Sequence, residues 1–169
     1  LPKEVLVDPQ IFTVQTIDLC SRQVRYYQRY YLNMDRYAFD RWLLSLLPPQ
    51  AEVLSGWCAE VTRGENGFCL TVRTDGGEQR FTARRVVGAD GASSLVRRTF
   101  YREPKTRYTA IQQWFPAGEE RAPFYSCIFD PATSESCSWI IRKDDTLIFG
   151  GCFSPQDSRE AYKRQKSRL

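Results

Sequence analysis

The segment Val86-Val87-Gly88-Ala89-Asp90-Gly91-Ala92-Ser93-Ser94-Leu95-Val96-Arg97-Arg98 concentrates residue types that can hold a ligand. It reads as a short apolar strand, a tight glycine turn and a helix start. Glycines at 88 and 91 allow a backbone to approach another molecule closely. Ser93 and Ser94 can cap the helix, and a helix N-terminus favours an anion. Ligands of α/β sheets gather at the carboxyl ends of strands, which is where Asp90 would fall. The chemistry implied is the holding of a phosphate or similar anion. Other chemistry is excluded. The chain has no histidine, so no Ser-His-Asp, Cys-His or histidine-ligated mechanism can reside within it. Its six cysteines include no CxxC pair, and no metal site is expected. There is no GxGxxG and no GxxxxGK[ST], hence no complete nucleotide-phosphate loop.

The elements that would position this turn follow from periodicity. Residues 10–32 predict a β-hairpin, with Val24, Tyr26, Gln28, Tyr30 and Leu32 alternating against Arg25, Tyr27, Arg29 and Tyr31. Phe39, Trp42, Leu43, Leu46 and Leu47 follow helical spacing. Asn33 or Asp35 is available as cap, and Pro48-Pro49 acts as a stop. Residues 51–89 predict a meander. Its strands are Ala51–Ser55, Cys58–Arg63, Phe68–Arg73, Glu78–Ala83 and Arg84–Ala89, with turns at Asn66-Gly67 and Asp75-Gly76. Leu95–Phe100 turns helical. Four further strands, 108–115, 124–129, 137–142 and 146–153, most simply form an antiparallel sheet. Ser154-Pro155-Gln156-Asp157 predicts the start of a last helix. A stretch rich in Arg, Lys and Pro near 100–107 separates two regions.

Composition sets wider bounds. The 169 residues are 42% hydrophobic and 26% charged, with net charge +4. That size suits about one domain. Basic residues are dispersed except for Lys163-Arg164-Gln165-Lys166-Ser167-Arg168, which reads as a solvated helix face. No apolar run is long enough for a transmembrane helix. The cysteines lie among apolar neighbours and read as buried, reduced thiols of a cytoplasmic protein. Met34 is the only methionine, so Leu1 is not a translation start and the chain is expected to be processed or cut from a longer one.

Gly88-Ala89-Asp90-Gly91-Ala92-Ser93-Ser94-Leu95-Val96-Arg97-Arg98 resembles the second FAD-domain fingerprint of glutathione-reductase-type flavoproteins, which include the aromatic-ring hydroxylases and the geranylgeranyl reductases. In that superfamily the Asp-Gly turn lies beside the FAD pyrophosphate. Asp35-Arg36-Tyr37-Ala38-Phe39-Asp40-Arg41-Trp42-Leu43 resembles its Arg-x-x-hydrophobic-Asp-x-x-Leu helix, whose arginine faces the flavin nucleotide. Cys137-Ser138-Trp139-Ile140-Ile141-Arg142-Lys143 with Gly150 is similar to the Tyr-x-Trp-x-Phe-Pro-Lys…Gly segment of geranylgeranyl reductases, which lines a lipid cavity. Cys137 stands where that family has Tyr, Ile141 where it has Phe and Arg142 where it has Pro.

The resemblance covers roughly residues 30–153. It implies an α+β fold with an antiparallel-sheet substrate domain plus part of a glutathione-reductase-type FAD-binding domain with β-meander. Residues 1–32 would form a substrate-domain hairpin, 33–100 the partial FAD-binding domain, and 101–169 the substrate-domain sheet and C-terminal helix. The implied cofactor is FAD, with Arg36, Asp90, Gly91 and Ser94 facing it and Cys137, Trp139, Lys143 and Gly150 facing a hydrophobic small-molecule substrate. No catalytic side chain is implied, because the flavin supplies the redox chemistry. The family's N-terminal GxGxxG and later Gly-Asp motif are both absent, so the chain would be an internal segment, inactive alone. No residue pattern names the electron donor. Two other readings remain open. One is an oxygen-using aromatic-ring hydroxylase, monooxygenase or halogenase of the same superfamily. The other is a non-enzymatic module that binds single-stranded nucleic acid or another ligand on the Arg/Tyr face of 22–32.

Overall fold

A computed structural model describes residues 1–101, 107–119 and 124–169. The chain divides into two compact units, one of residues 1–47 with 107–169 and one of 48–106. The fold is α+β, as expected.

The first unit is built on a six-stranded sheet. Its strands are β1 (Ile11–Asp18), β2 (Gln23–Tyr31), β6 (Thr109–Pro116), β7 (Phe124–Phe129), β8 (Cys137–Lys143) and β9 (Thr146–Phe153), in the order β2-β1-β7-β8-β9-β6. The hairpin strands fall within 10–32, and the four later strands lie within one residue of their expected positions. All pairings are antiparallel except that of β1 with β7, which is parallel. Strands joined by a short turn are forced antiparallel. β1 and β7 are instead separated by the whole second unit, so no hairpin constrains their direction. The sheet is therefore mixed.

One face of the sheet carries the core. Ile128, Phe149 and Phe153 pack with Ala161 and Tyr162 of α3 (Ser158–Lys166), flanked by Ile17, Ile111, Phe115 and Ile140. Tyr162 stacks on Phe149, with ring centroids 5.1 Å apart, and meets Phe153 edge-on at 5.9 Å. Two expectations change here. The helix begins at Ser158, with Asp157 at the N-cap position and its carboxylate turned to Arg164, rather than at Ser154. The basic tail is also not merely solvated. Arg168 Nη1 lies 2.7 Å from both carboxylate oxygens of Asp130, which is 1% exposed, and its Nη2 donates to Leu19 O at 3.2 Å. Lys166 donates to Gln113 Oε1 at 2.8 Å and lies over the Phe115 and Tyr162 rings. The tail clamps the helix to the sheet.

α1 (Arg36–Ser45) is capped by Asp35, whose Oδ1 accepts from Ala38 N at 2.9 Å. Asn33, the other candidate cap, is instead buried, and its Nδ2 donates to Pro9 O at 3.0 Å and Arg142 O at 2.7 Å. No residue of α1 is buried, and Leu43, Leu44, Leu46 and Leu47 are exposed.

The second unit is an antiparallel meander of β3 (Trp57–Gly64), β4 (Gly67–Thr74) and β5 (Gly77–Ala83), followed by α2 (Leu95–Phe100). Phe100 of α2 meets Phe68 of β4 edge-on at 5.5 Å, and the Arg63 guanidinium lies over both rings. Residues 51–55 and 84–89 do not form the expected strands. A strand exists only through ladder bonds to a neighbour, and no described strand of this unit pairs with either one. The expected boundary near 100–107 falls largely outside the described residues.

Candidate functional site

The Asp-Gly turn lies wholly within the second unit. Gly91 has φ +72°, a left-handed conformation that few side chains tolerate. Nothing lies within 4 Å of where its Cβ would be, so the backbone is open on that side. Gly88 is required for a different reason: a Cβ there would come 2.6 Å from Cβ of Val96. Asp90 is tied to the start of α2. Its Oδ2 accepts from Leu95 N at 2.5 Å and more weakly from Val96 N at 3.4 Å. The Ser94 hydroxyl is the main influence holding its carboxyl below the ordinary aspartate range; desolvation opposes it, and the backbone N–H groups of Asp90 itself, Leu95 and Val96 add to it. Ser94 also caps α2, its Oγ accepting from Arg97 N at 3.0 Å. The Arg97 guanidinium turns back onto the carbonyls of Gly91 and Ala92. Asp90, Gly91 and Ser94 are thus brought together as one rigid turn. It borders a cavity of about 420 Å³ lined by Val86, Gly88, Gly91, Ser94, Val96, Arg97 and Tyr101. The negative charge in the turn is the protein's own, and an arriving phosphate would meet the open Gly91 backbone and Arg97. These features fit a pyrophosphate approaching Gly91.

Arg36 belongs to the first unit. Its side chain is 74% exposed, pairs loosely with Asp40 at 3.5 Å and lies over Phe39. Exposed pairs of this kind hold a side chain weakly, so Arg36 is free to meet a ligand.

The other candidates lie on the sheet face opposite α3. Residues directly opposed in register share a face. One row across the sheet runs Arg25, Thr16, Cys127, Trp139, Gly150 and Gln112. The Trp139 indole lies across Gly150, whose missing Cβ would sit 2.7 Å from Trp139 Cε2 and Cζ2 and 2.8 Å from Gln112 Cβ. Cys137 is on the same face, two residues from Trp139. Lys143 lies at the far end of β8, where its ammonium donates to Met34 O at 2.5 Å. Burial is the main influence lowering its pKa, Asp35 opposes it and Arg36 adds to it. Lys143 is therefore committed to the segment that leads into α1.

Residue-by-residue reading missed the neighbours that complete this face. Tyr125 and Cys127 of β7 and Trp114 of β6 share it, and period-2 alternation along β7 and β6 is the signal that could have found them. Burial chiefly pushes the Tyr125 phenol up to about 12, with Cys127 and Cys137 contributing. Burial also raises the Cys127 thiol, with Cys137 again adding. The face presents aromatic rings and neutral sulfur. All six thiols are free, but none is fully buried, and Cys20 and Cys69 are exposed, which corrects the expectation of buried cysteines. Among the described residues no cluster could hold a metal ion.

No family model matches the chain. It is 45% identical over 171 residues to Protein CbrA of Shigella dysenteriae serotype 1 (strain Sd197) and 44% identical to Protein CbrA of Escherichia coli O157:H7, covering all of this chain and 48% of each relative. The chain spans about half the length of the curated relatives it matches. Among solved structures it is similar to CmlS, a flavin-dependent halogenase, with a TM-score of 0.70 and 15% identity over 98% of this chain and 32% of that one. A flavoprotein/dehydrogenase from Cytophaga hutchinsonii matches with a TM-score of 0.67 and 12% identity, over 95% of this chain and 45% of its own. The flavin-dependent brominase Bmp2, as a triple mutant, matches at 0.65 and 15% identity, over 90% of this chain and 42% of its own. The fold is that of flavin-dependent enzymes. At these identities the likeness speaks to the fold alone.

Proposed function

We propose that the longer protein carrying this chain is an FAD-dependent oxidoreductase that reduces a hydrophobic substrate, isoprenoid in class, in the manner of the geranylgeranyl reductases. The observation that carries this reading is the Asp90-Gly91-Ser94 turn, with its open Gly91 backbone beside a cavity, in a chain folded like flavin-dependent enzymes. Within the second unit Asp90 and Ser94 keep the turn rigid and Gly91 admits the pyrophosphate; within the first unit the exposed Arg36 is available to an anionic ligand. The hydride for the reaction comes from FAD in its reduced form when bound. Trp139, seated on Gly150, with Cys137, Tyr125 and Cys127, forms an apolar wall that orients the substrate and excludes water. Lys143 fixes the approach of the chain to Arg36. Reconstitution of the longer protein with FAD tests the reading. Bound flavin that is lost in Asp90→Ala supports it, and a protein that takes up no flavin removes it.

The halogenase and brominase among the structural neighbours favour one second reading, an oxygen-using enzyme of the same fold. Substrate-dependent oxygen consumption by the reduced holoprotein would select it over the reductase. Trp139, Tyr125 and Cys127 would then wall an aromatic substrate.

A further inference from the structure

We propose that the β1–β2 ribbon is a docking surface for an anionic lipid bilayer, on which the protein rests at headgroup depth. This inference does not depend on the flavin reading. Between Leu19 and Leu32 the chain carries four tyrosines (26, 27, 30 and 31), three arginines (22, 25 and 29) and no Asp or Glu. Every residue of β2 is exposed, Tyr30 to 70%, and Phe12 of β1 and Leu32 extend the exposed apolar area. β2 is an outer strand of its sheet, so among the described residues one of its edges has no ladder partner.

The chemistry of this surface matches a membrane interface on three counts. Tyrosine rings, apolar with a polar tip, gather at headgroup level, and arginine forks bind phosphate oxygens. A basic strand with no Asp or Glu of its own is attracted to a negatively charged leaflet. The only acid of β1, Asp18, turns its carboxylate onto the backbone N–H groups of Cys20 and Ser21 at the hairpin turn. The unpaired N–H and C=O groups of the β2 edge could not enter hydrocarbon, but headgroups and water satisfy them, which sets the depth. The rings are also held in place before docking. Tyr30 meets Phe12 edge-on at 5.7 Å, Tyr26 lies 5.2 Å from Phe124, and Tyr31 lies 5.9 Å from Tyr125. Little ordering is left to be lost on contact.

Other occupants fit less well. Single-stranded nucleic acid needs open ring faces in series. Here Tyr30 and Tyr31 are engaged edge-on with other rings, and the aliphatic side chains of Val24 and Leu32 offer no stacking. A second copy paired antiparallel about Tyr27 would set Arg25 against Arg29, a like-charge opposition that disfavours pairing.

Flotation of the longer protein with lipid vesicles tests the proposal. Vesicles of phosphatidylcholine containing about a quarter phosphatidylglycerol should carry the protein upward, with about tenfold weaker binding to phosphatidylcholine alone and weakening by salt. The double variant Arg25→Glu/Arg29→Glu should lower binding about tenfold. Tyr30→Ala should lower it about threefold, and both variants should keep the parent's thermal melt. No flotation with anionic vesicles, or flotation equal in the double variant, overturns the proposal. So does binding of an oligothymidylate, lost in the double variant, by a protein that ignores vesicles. So does a dimer through β2 that leaves no vesicle binding.

Discussion

At the residue scale the account rests on a few atoms whose neighbours leave no slack. The Trp139 indole occupies the space over Gly150, so Gly150→Ala must move the ring or strain the sheet. A cost of about 1–3 kcal/mol is expected for such overpacking, read as a lower denaturation midpoint together with a changed tryptophan emission spectrum. Arg168 is expected to act as a clamp. Removing it in Arg168→Ala leaves the buried Asp130 carboxylate with Thr133 as its remaining side-chain partner. That should cost about 1–3 kcal/mol in chemical unfolding, whereas Arg164→Ala, at an exposed pair, should cost well under about 1 kcal/mol. Tyr125 gives a pH prediction. Its folded phenol is raised to about 12 from an unfolded 10.0. The neutral phenol is the form that the fold favours, so this contribution to stability is full below pH about 10 and is lost as pH rises from about 10 to about 12. An alkaline ultraviolet titration should show a late-ionising component that shrinks by one tyrosine in Tyr125→Phe.

At the scale of elements, hydrophobic patterning made most of the fold legible. The hairpin of 10–32, the meander turns at Asn66-Gly67 and Asp75-Gly76, and the strands from 109 to 153 all form where alternation and turn chemistry put them. What patterning cannot supply is the partner of an element. The parallel pairing of β1 with β7 depends on chain far away in sequence, and Val86-Val87 has strand composition but no strand beside it. The Asp-Gly turn was legible because its chemistry is local: a glycine in a left-handed conformation, a capping serine and an aspartate within five residues. The sheet face around Trp139 was only half legible, since Tyr125, Cys127 and Trp114 join it through register rather than through motif. The absence of a ladder partner for residues 84–89 among the described residues leads to a prediction. In the longer protein, amide exchange at Val86 and Val87 should be slowed by at least about tenfold relative to the 169-residue chain, because a ladder partner outside this chain is expected to supply their hydrogen bonds. Equal exchange in the two would remove that expectation.

At the scale of the whole molecule, exposed apolar area is the dominant feature. Leu43 and Leu44 of α1 and Leu46 and Leu47 just after it lie exposed in the first unit, and Val53, Leu54, Trp57 and Val87 lie exposed in the second. Neither unit buries its full complement of large apolar side chains, and the curated relatives are about twice as long as this chain. Both facts agree with the proposal that the cofactor-holding motifs missing here, GxGxxG and Gly-Asp, belong to the remainder of a longer flavoprotein. None of the described helices is long and apolar enough to cross a membrane. The most direct test of the central claim is the flavin content of two purified proteins, the longer protein and the 169-residue chain, after incubation with FAD and gel filtration. The account predicts about one FAD per polypeptide for the longer protein, loss of most of it in Asp90→Ala, and none on the 169-residue chain. A longer protein that emerges colourless, or an Asp90→Ala variant that keeps its full flavin, would contradict it.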